Sequence, residues 1–565
     1  MKTHSSSPRA AFRMLAALLV IVALLFAAGA QAQSTNWLGG VNELSTVYGT
    51  PADNDVVDNA TLIITNGGNL TANQLNVGPT NRSMLTLDTG GTLTVQQLLA
   101  TNVIIGGATN SLLAFNAGTL ITSNAATAVA STVLIASNTA WTMNSSWIMN
   151  GGTNIFSYVA TNTVAAANMY VGNATNNVQV NVNPGAVWWN ARPANSSASN
   201  ILGLIIGNGP ATNTVFTVNG GSLIVTNAGG SGGIYVGNTA NSSIGNQLII
   251  TNGGQVFTRA GNTGNSSGNI GSNGGSTNGL LVAGTNAAGL KSTWTFLGAE
   301  RLSLGSSVAT NGNNNWVQVD SGGVITNCDL NTYGVNNNLY ITNGGQMFAV
   351  SGTFGRFGFN SLMVVGGFDA AGNGSLFRAN NLTCAGGTGT PTSQQPGTNV
   401  TIRVDQGGVI TNVNPVYVGK DTNSYGNTII VTNGGQLFSS SAAYVGFVPG
   451  SSNGMIVGGA FGPTNSTWNH GGGSVTIGNA AAATNSYVTL NPGGVLTNVS
   501  SIILGGVNSL LTFNGGTLAA GTNGNLIATN ATTVNATNLV QAGGATIDTV
   551  GYTVTNQLPV LATIS

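Results

Sequence analysis

The sequence predicts an all-β fold, a β-solenoid in which short strands and tight corners repeat along a rod. Three observations support it: 84 of 565 residues are glycine, 42% of the chain is hydrophobic, and apolar and polar residues alternate in short runs. Alternation with a period of two is typical of a strand with one buried face, and frequent glycine indicates turns. Charged residues make up only 4% of the chain, but its hydrophobic content excludes a disordered polymer.

The N-terminal segment 1–32 is predicted to be a secretory signal peptide. Lys2, Arg9 and Arg13 form a basic region, an apolar run follows from residue 14 to residue 28, and Ala30-Gln31-Ala32 fits a cleavage site. The apolar run is shorter than the roughly 20 residues that a membrane-spanning helix needs. We therefore expect cleavage, a secreted chain at an extracellular or outer-surface location, and no membrane span after cleavage.

One repeated unit is an apolar, polar, apolar triplet followed by Asn or Asp, one further residue and a glycine pair. Its copies begin at Leu85, Val317, Ile402 and Val488. Asn, Asp and Gly tolerate positive φ, so the chain can turn at these positions with little strain. Each copy is therefore predicted to be one strand followed by a corner.

Two further units recur with the first one. The glycine pair of TNGGQ begins at Gly253, Gly344 and Gly434, and a V/I-G-N unit occurs at 171–173, 236–238 and 477–479. Three marker sets advance along the chain in the same order: the Asn/Asp-x-Gly-Gly pairs at 322, 407 and 493, the TNGGQ pairs, and a V-x-G block that ends at Gly284, Gly366 and Gly458. The copies within each of these sets are about 82 to 92 residues apart, which is the signature of a repeat architecture. This pattern indicates three tandem super-repeats over residues 248–498.

The closest glycine pairs begin at positions 322 and 344, 407 and 434, and 493 and 515. This spacing of roughly 22 to 27 residues fits one coil of a parallel β-helix. A super-repeat then contains three or four coils. At about 4.8 Å per coil the mature chain would form some 20 coils and a rod near 100 Å long. A β-propeller is the main alternative, but its blades need four antiparallel strands and usually one signature each, whereas these corners are irregularly spaced.

The C-terminal stretch NSLLTFNGGTL at 508–518, followed by GGATIDTVGYTV at 543–554, resembles the autotransporter-associated β-strand repeat of bacterial surface proteins. A weaker copy, NSLLAFNAGTL, lies at 110–120. The resemblance implies a right-handed single-stranded parallel β-helix that is presented outside the cell, often as an adhesin-like or matrix component. We expect an N-terminal cap at 33–60, the β-helix at 61–555 and a C-terminal tail at 556–565.

Candidate catalytic residues are scarce, and none is assigned. His470 is the only histidine after the signal peptide, and its glycine-rich surroundings predict an exposed turn residue. Asp320 and Asp405 occupy the corner slot that Asn fills elsewhere, and one super-repeat separates them by more than the roughly 5 to 10 Å that glycosidase carboxyls need. Arg403 beside Asp405 is the one charged pair worth inspecting for lyase-like chemistry.

No metal site or cofactor is predicted either. Asp53, Asp55 and Asp58 are close enough in sequence to suggest one calcium ion, but a polar segment that caps the first coil is favoured. Cys328 and Cys384 lie about two coils apart, or near 10 Å, which exceeds the limit of about 7 Å between the Cα atoms of a disulfide. We therefore expect both cysteines to be free.

Few features indicate partners. Trp147, Trp188 and Trp189 carry flat apolar faces that suit sugar rings, although burial in the core is favoured for each of them. Surfaces rich in Asn and Thr offer hydrogen-bonding groups to polysaccharides, to cell-surface and matrix components, or to other copies of the same chain. Nucleic acid is excluded because the 12 acidic residues outnumber the basic residues left after signal cleavage.

The sequence therefore predicts a secreted or surface-displayed structural or adhesive repeat protein without catalytic activity. The alternative is a polysaccharide-active β-helix enzyme, a lyase or a hydrolase. Its site would lie in the irregular regions 257–310 or 348–400, which hold Arg259, Lys291, Glu300, Arg301, Arg356 and Arg378.

Overall fold

The structure is a computed structural model. It describes residues 35–50, 52–65, 67–77, 84–87, 92–100, 103–105, 112–115, 118–122, 125–127, 132–135, 139–143, 147–149, 153–157, 169–173, 176–185, 187–192, 203–227, 233–238, 242–259, 266–271, 274–306, 312–387, 396–530, 535–558 and 560–562. The predicted signal peptide lies outside these residues.

Each coil contributes strands to three faces, which we name A, B and C in the order in which the chain visits them. In one coil Gln247–Thr251 lies on face A and Gln255–Arg259 on face B, and Ser266–Ile270 follows on face C. The next coil returns to face A at Gly279–Ala283, which pairs in parallel with Gln247–Thr251. This pairing confirms the predicted parallel β-helix and excludes a propeller, whose blades are antiparallel.

Two N-terminal strands, Asn36–Leu44 and Asn54–Ile64, run through faces C and A. The other strands of face A are Met84–Leu87, Val103–Ile105, Ala125–Thr127, Trp147–Met149, Gln179–Val182, Val215–Asn219, Gln247–Thr251, Gly279–Ala283, Trp316–Asp320, Asn338–Thr342, Leu362–Gly366, Thr401–Asp405, Thr428–Thr432, Gly454–Gly458, Tyr487–Leu490, Leu510–Phe513, Thr537–Val540 and Val560–Ala562.

The strands of face B are Val47–Tyr48, Leu112–Phe115, Thr132–Ile135, Thr153–Ser157, Val187–Arg192, Ser222–Asn227, Gln255–Arg259, Leu376–Arg378, Val409–Val413, Gln436–Ser439, Thr464–Asn469, Gly494–Val499, Thr517–Ala520 and Thr546–Asp548. Five long strands run through faces B and C: Asn69–Val77, Thr92–Ala100, Thr293–Leu304, Val324–Thr332 and Gln346–Phe354.

The strands of face C are Gly118–Thr122, Thr139–Met143, Met169–Asn173, Gly203–Asn208, Gly233–Val236, Ser266–Ile270, Leu382–Cys384, Val416–Val418, Ala443–Val445, Ser474–Ile477, Ser501–Leu504, Gly524–Thr529 and Val554–Asn556. Short strands outside the three faces are Gly334–Val335, Gly358–Phe359, Ser424–Tyr425, Gly450–Ser451, Ala460–Phe461 and Ala483–Thr484.

The core runs along the inside of the rod. Strands such as Gln247–Thr251 and Thr428–Thr432 alternate between buried and half-buried residues, as the period-two pattern predicts. The inward side chains of all three faces form one apolar cluster, and Trp188, Trp294 and Trp468 are its largest fully buried members. Face A passes through about twenty described strands, which at about 4.8 Å per coil gives a rod near 100 Å long.

The predicted super-repeat contains three coils. Trp316–Asp320 pairs with Asn338–Thr342, that strand with Leu362–Gly366, and the latter with Thr401–Asp405, which is the equivalent of the first strand in the next super-repeat. Coil length varies: equivalent positions are 22 residues apart at Asn314 and Asn336, and 39 residues apart at Asn360 and Asn399. The strands therefore keep their register while the loops take up the difference in length.

The super-repeat has a structural marker at the corner between faces A and B. In every third coil between Gly279 and Asn469 this corner is enlarged, and a buried serine closes the enlarged loop. Ser292, Ser375 and Ser466 each accept a hydrogen bond from the backbone N–H of the TNGGQ glycine one coil earlier, at 3.0, 3.1 and 3.0 Å. This contact explains why TNGGQ and the V-x-G block recur in step along the sequence.

Two polar ladders run side by side at the corner between faces C and A. The inner ladder is buried, and its members are Thr214, Asn246, Asn278, Asn315, Asn337, Ser361, Asn427, Asn453, Ser486 and Ser509. The V-G-N glycine lies against this ladder: Gly237 has φ of +71°, and a Cβ on it would lie 2.1 Å from Nδ2 of Asn278. Glycine is required there because any side chain would collide with the ladder.

Candidate functional site

His470 is not the exposed turn residue that the sequence predicts, and that prediction is wrong. Its side chain is fully buried, and the Ser474 carbonyl accepts a hydrogen bond from Nε2 at 2.9 Å. Nδ1 lies 2.8 Å from the hydroxyl of Ser439, which accepts a hydrogen bond from the Trp468 indole. Because a carbonyl can only accept, the proton sits on Nε2, and the Ser439 hydroxyl donates to Nδ1.

This serine and histidine meet inside the rod, where both side chains are buried and out of reach of a substrate. Burial lowers the pKa of His470, since desolvation disfavours the charged imidazolium. The arrangement satisfies buried polar groups around the Trp468 indole. We therefore assign it to the core.

Arg403 and Asp405 form the predicted charged pair, with 3.1 Å between Nη2 and Oδ2. Asp405 also accepts a hydrogen bond from the Asn433 side chain, and its carbonyl closes the corner through the N–H of Gly408. Asp320 occupies the same slot three coils away, about 14 Å along the rod. The two aspartates are corner residues that do not share a substrate.

Asp53 and Asp55, near the N-terminus, accept hydrogen bonds from neighbouring residues of the chain. The Asp53 carboxylate accepts hydrogen bonds from the backbone N–H and the hydroxyl of Thr50, and Asp55 accepts one from the N–H of Thr35. Burial raises the pKa of Asp55. Within the described residues no group of three or more His, Cys, Asp or Glu side chains is arranged to hold a metal ion.

The charged residues proposed for the alternative enzyme site do not form one cluster. Arg301 lies on face C, 3.8 Å from Asp329, and Arg356 lies against the ring of Tyr333. Glu300 is buried and accepts a hydrogen bond from the N–H of Gly298. The remaining members occupy other parts of the coil: Arg259 and Arg378 on face B and Lys291 at an enlarged corner.

Trp188 is buried in the core and contacts Phe216, as the sequence favours. The side chains of Trp147 and Trp189 lie outside the described part of the protein. Cys328 and Cys384 are free and buried, which confirms their prediction.

Face C carries an aromatic cluster that the sequence analysis missed. The rings of Tyr417 and Tyr444 stack across neighbouring coils at 5.3 Å, and Phe447 meets both of them edge-on. The ammonium of Lys420 lies 5.0 Å from the centre of the Tyr417 ring. The faces of these rings pack against each other and against Lys420. They therefore leave little flat surface for a ligand.

A more accessible surface follows the corner between faces C and A, and we call it the asparagine edge. The residue before each inner-ladder position has positive φ; Gly245 and Gly426 fill two of these positions, and polar side chains at the others and at equivalent positions of further coils form an outer ladder: Asn177, Asn213, Thr277, Asn314, Asn336, Asn360, Asn399, Ser452, Asn485, Asn508 and Asn535. These side chains are exposed. Neighbouring amides bond along the rod, as from Asn336 to Asn314 at 3.0 Å and from Asn508 to Asn485 at 3.2 Å.

An open groove of about 450 Å³ lies beside the outer ladder near the C-terminal end of the rod. Its lining contains no charged residue and comprises Asn485, Tyr487, Asn508, Ser509, Leu510, Asn535 and Thr537. Tyr487 begins a face A strand and lies over Gly454 of the preceding coil, because a Cβ on that glycine would lie 2.0 Å from the ring. The groove therefore combines amide groups, hydroxyls and one aromatic ring.

Trp316 occupies the equivalent position in an earlier super-repeat. It pairs with Gly279, and a Cβ on Gly279 would lie 2.2 Å from the indole ring. Sequence reasoning missed both rings because a lone aromatic residue at the start of a strand gives no sign of which way it points. The available signal was the glycine of the preceding coil, in Asn278-Gly279 and Asn453-Gly454.

No helix among the described residues is long and apolar enough to cross a membrane. No protein-family model matches the chain, and no curated protein shows detectable similarity to it. Among solved structures, the chain is similar to a crystal structure of a TibA fragment hyper-glycosylated by TibC. Identity is 13% and the TM-score 0.19, over 92% of this chain and 99% of that one. A similarity this low supports no conclusion about the chain. The fold is established by the strand pairing described above.

Proposed function

We propose that this chain is a secreted or surface-displayed rod with a structural and adhesive role and without catalytic activity. The observation that supports it best is the continuous column of parallel strands in the described residues. Its outward positions carry few charges and hold uncharged polar residues such as Gln247 and Thr251 together with apolar ones such as Ile249. A rod of stacked coils presents a long surface of repeated groups, since each coil repeats the geometry of its neighbour. Such a surface suits attachment to extended or repetitive partners.

The sequence features agree with this proposal. The N-terminal residues have the organisation of a signal peptide, and residues 508–518 resemble a repeat of bacterial surface proteins. Polysaccharides and components of cell surfaces or of the matrix are the partners we propose. Nothing in the described residues favours the alternative of a polysaccharide-active enzyme, since the charged groups named for it lie on different parts of the coil.

The proposal is tested by expressing the full chain in a Gram-negative bacterium and following its location and attachment. We expect a product that begins near Gln33, that is found in the medium or on the cell surface, and that makes coated beads adhere to cells or extracellular matrix. Deletion of residues 2–32 is the control and should retain the chain inside the cell.

Retention of the intact chain in the cytoplasm would contradict the proposed location. Beads that adhere no better than beads coated with albumin would contradict the adhesive role. Steady release of reducing ends or unsaturated products from a polysaccharide panel by residues 33–565 would instead support the enzyme alternative.

A further inference from the structure

We propose that the asparagine edge binds a neutral, hydroxyl-rich polysaccharide that lies along the rod, with Trp316 and Tyr487 as stacking platforms. The inference rests on the proposed adhesive function and assigns a ligand class to one surface of the rod. It is carried by the position of the two rings, by the outer ladder, most of whose members are asparagines, and by the uncharged lining of the groove.

Each ring covers a glycine of the preceding coil. A Cβ on Gly454 would lie 2.0 to 2.5 Å from three atoms of the Tyr487 ring, and a Cβ on Gly279 would lie 2.2 to 2.8 Å from three atoms of the Trp316 indole. Gly279 and Gly454 point outward on face A, since the next residue of each strand, Leu280 or Met455, belongs to the apolar core. A ring that occupies the space of an outward Cβ lies against the sheet with one face and turns the other face outward. Both rings are only half-buried, so this outer face is available to a sugar ring, unlike the stacked tyrosines of face C.

The internal repeats support a specific role for these rings. The middle super-repeat has Leu362 in place of the glycine and Thr401 in place of the aromatic residue. Glycine and ring therefore occur together in two super-repeats and are both replaced in the third. Shielding of a glycine in a sheet by an aromatic ring is the purely structural explanation, and the experiment below must separate it from binding.

The outer ladder supplies the polar half of the site. Amide groups both donate and accept hydrogen bonds, and they match sugar hydroxyls, which do the same. The groove brings Asn485, Asn508 and Asn535 beside Tyr487 at intervals of one coil. Trp316 lies six coils from Tyr487 on the same edge, a separation of about 29 Å at 4.8 Å per coil, so an extended chain can contact both rings.

The lining selects the class of ligand. It holds no Lys, Arg, Asp or Glu, so an acidic polysaccharide or a charged peptide would lose hydration there without gaining a charged partner. A neutral polysaccharide loses only hydroxyl hydration, which the amides replace. The aromatic ring adds the apolar contact that suits the C–H face of a sugar.

The test measures binding of residues 33–565 to cellohexaose, mannohexaose and xylohexaose, with hexagalacturonate as the acidic comparison, by calorimetry and by tryptophan fluorescence. Tyr487→Leu and Tyr487→Phe are the informative variants. Leucine still covers Gly454 but has no ring face, whereas phenylalanine keeps the ring. Tyr444→Leu on face C is the matched control, and hydrogen exchange verifies that every variant keeps its coils.

We expect at least one neutral hexasaccharide to bind and hexagalacturonate to bind at least tenfold more weakly. Tyr487→Leu should weaken neutral binding about tenfold or more, whereas Tyr487→Phe and Tyr444→Leu should change it less than threefold. Equal binding by Tyr487→Leu and the parent chain would show that the ring only shields Gly454 and would overturn the proposal. Absence of neutral binding would also overturn it, and beads that still adhere to cells would then leave the adhesive function standing.

Discussion

The buried inner ladder should contribute far more to stability than the exposed outer ladder, and the adjacent residues Asn336 and Asn337 allow a direct comparison. Asn337 is fully buried, and its Oδ1 accepts hydrogen bonds from the backbone N–H of Asn315 at 2.7 Å and from the Asn315 side chain at 3.1 Å. Its Nδ2 donates to the carbonyls of Gly312, at 2.8 Å, and Tyr333. Replacement by glycine removes all four bonds.

The expected cost follows from the groups that lose their partner. The backbone N–H of Asn315 loses its acceptor, and the Asn315 amide loses one of two acceptors, since it still donates to the Gly275 carbonyl at 3.1 Å. Each buried N–H left unsatisfied costs about 1 to 3 kcal/mol, which gives roughly 2 to 6 kcal/mol for Asn337→Gly. Asn336→Gly removes one exposed bond to Asn314 and keeps positive φ accessible. Glycine costs up to about 1 kcal/mol of chain entropy at either position, and at Asn336 the positive φ, which glycine adopts without strain, offsets part of this cost.

Hydrogen exchange followed by mass spectrometry is the assay, because a rod of repeats does not unfold in two states. Amides of Trp316–Asp320 and Asn338–Thr342 should exchange at least about 30-fold faster in Asn337→Gly than in Asn336→Gly. Strands four or more coils away should be unaffected. Equal exchange in the two variants would refute the assignment of stability to the inner ladder.

Three further outcomes are expected. Valine at Gly434 or Gly493, where φ is +77° and +72°, should destabilise the adjoining coils by about 1 to 2 kcal/mol or more in exchange experiments, and uniform loosening of the rod would contradict this. Because the pKa of His470 is lowered from 6.5, its contribution to stability is complete above that value and is lost as pH falls below it. Faster exchange around His470 on acidification should disappear in His470→Gln, and persistence of the effect would assign it to another group. Cys328 and Cys384 should show no disulfide by mass under oxidising conditions and should react slowly with alkylating agents, since burial raises the pKa of both thiols; rapid labelling of the folded protein would contradict their burial.

His470 shows where reasoning from sequence fails. Its neighbours, Asn469 and three glycines, predict an exposed turn, and the chain does turn there. The side chain nevertheless points inward, because Ser439 of the preceding coil offers a buried hydroxyl to its imidazole. That partner is 31 residues away, and only the stacking of coils brings the two together.

The candidate binding surface shows the same limit. The sequence indicates a surface rich in Asn and Thr, but adjacent residues such as Asn336 and Asn337 have the same composition and opposite environments. Positive φ at Asn336 turns its amide outward. The amide of Asn337 points inward and hydrogen-bonds with Asn315 of the preceding coil. Likewise Tyr487 is identified as an outward ring only through Gly454, its partner on the neighbouring face A strand, which belongs to the preceding coil of the chain.

By itself the sequence determined the fold class and the corners at the glycine pairs, and it predicted three super-repeats, because period-two alternation and positive-φ residues are local properties of the chain. The tertiary structure decided that a super-repeat holds three coils, which asparagine of each pair is buried and which aromatic rings face outward. Those features depend on register between coils. Register depends on how much chain each loop takes up, since one coil can hold 22 residues and another 39. Because loop length varies without a local sequence pattern, the sequence does not show which residue of the next coil lies beside a given residue.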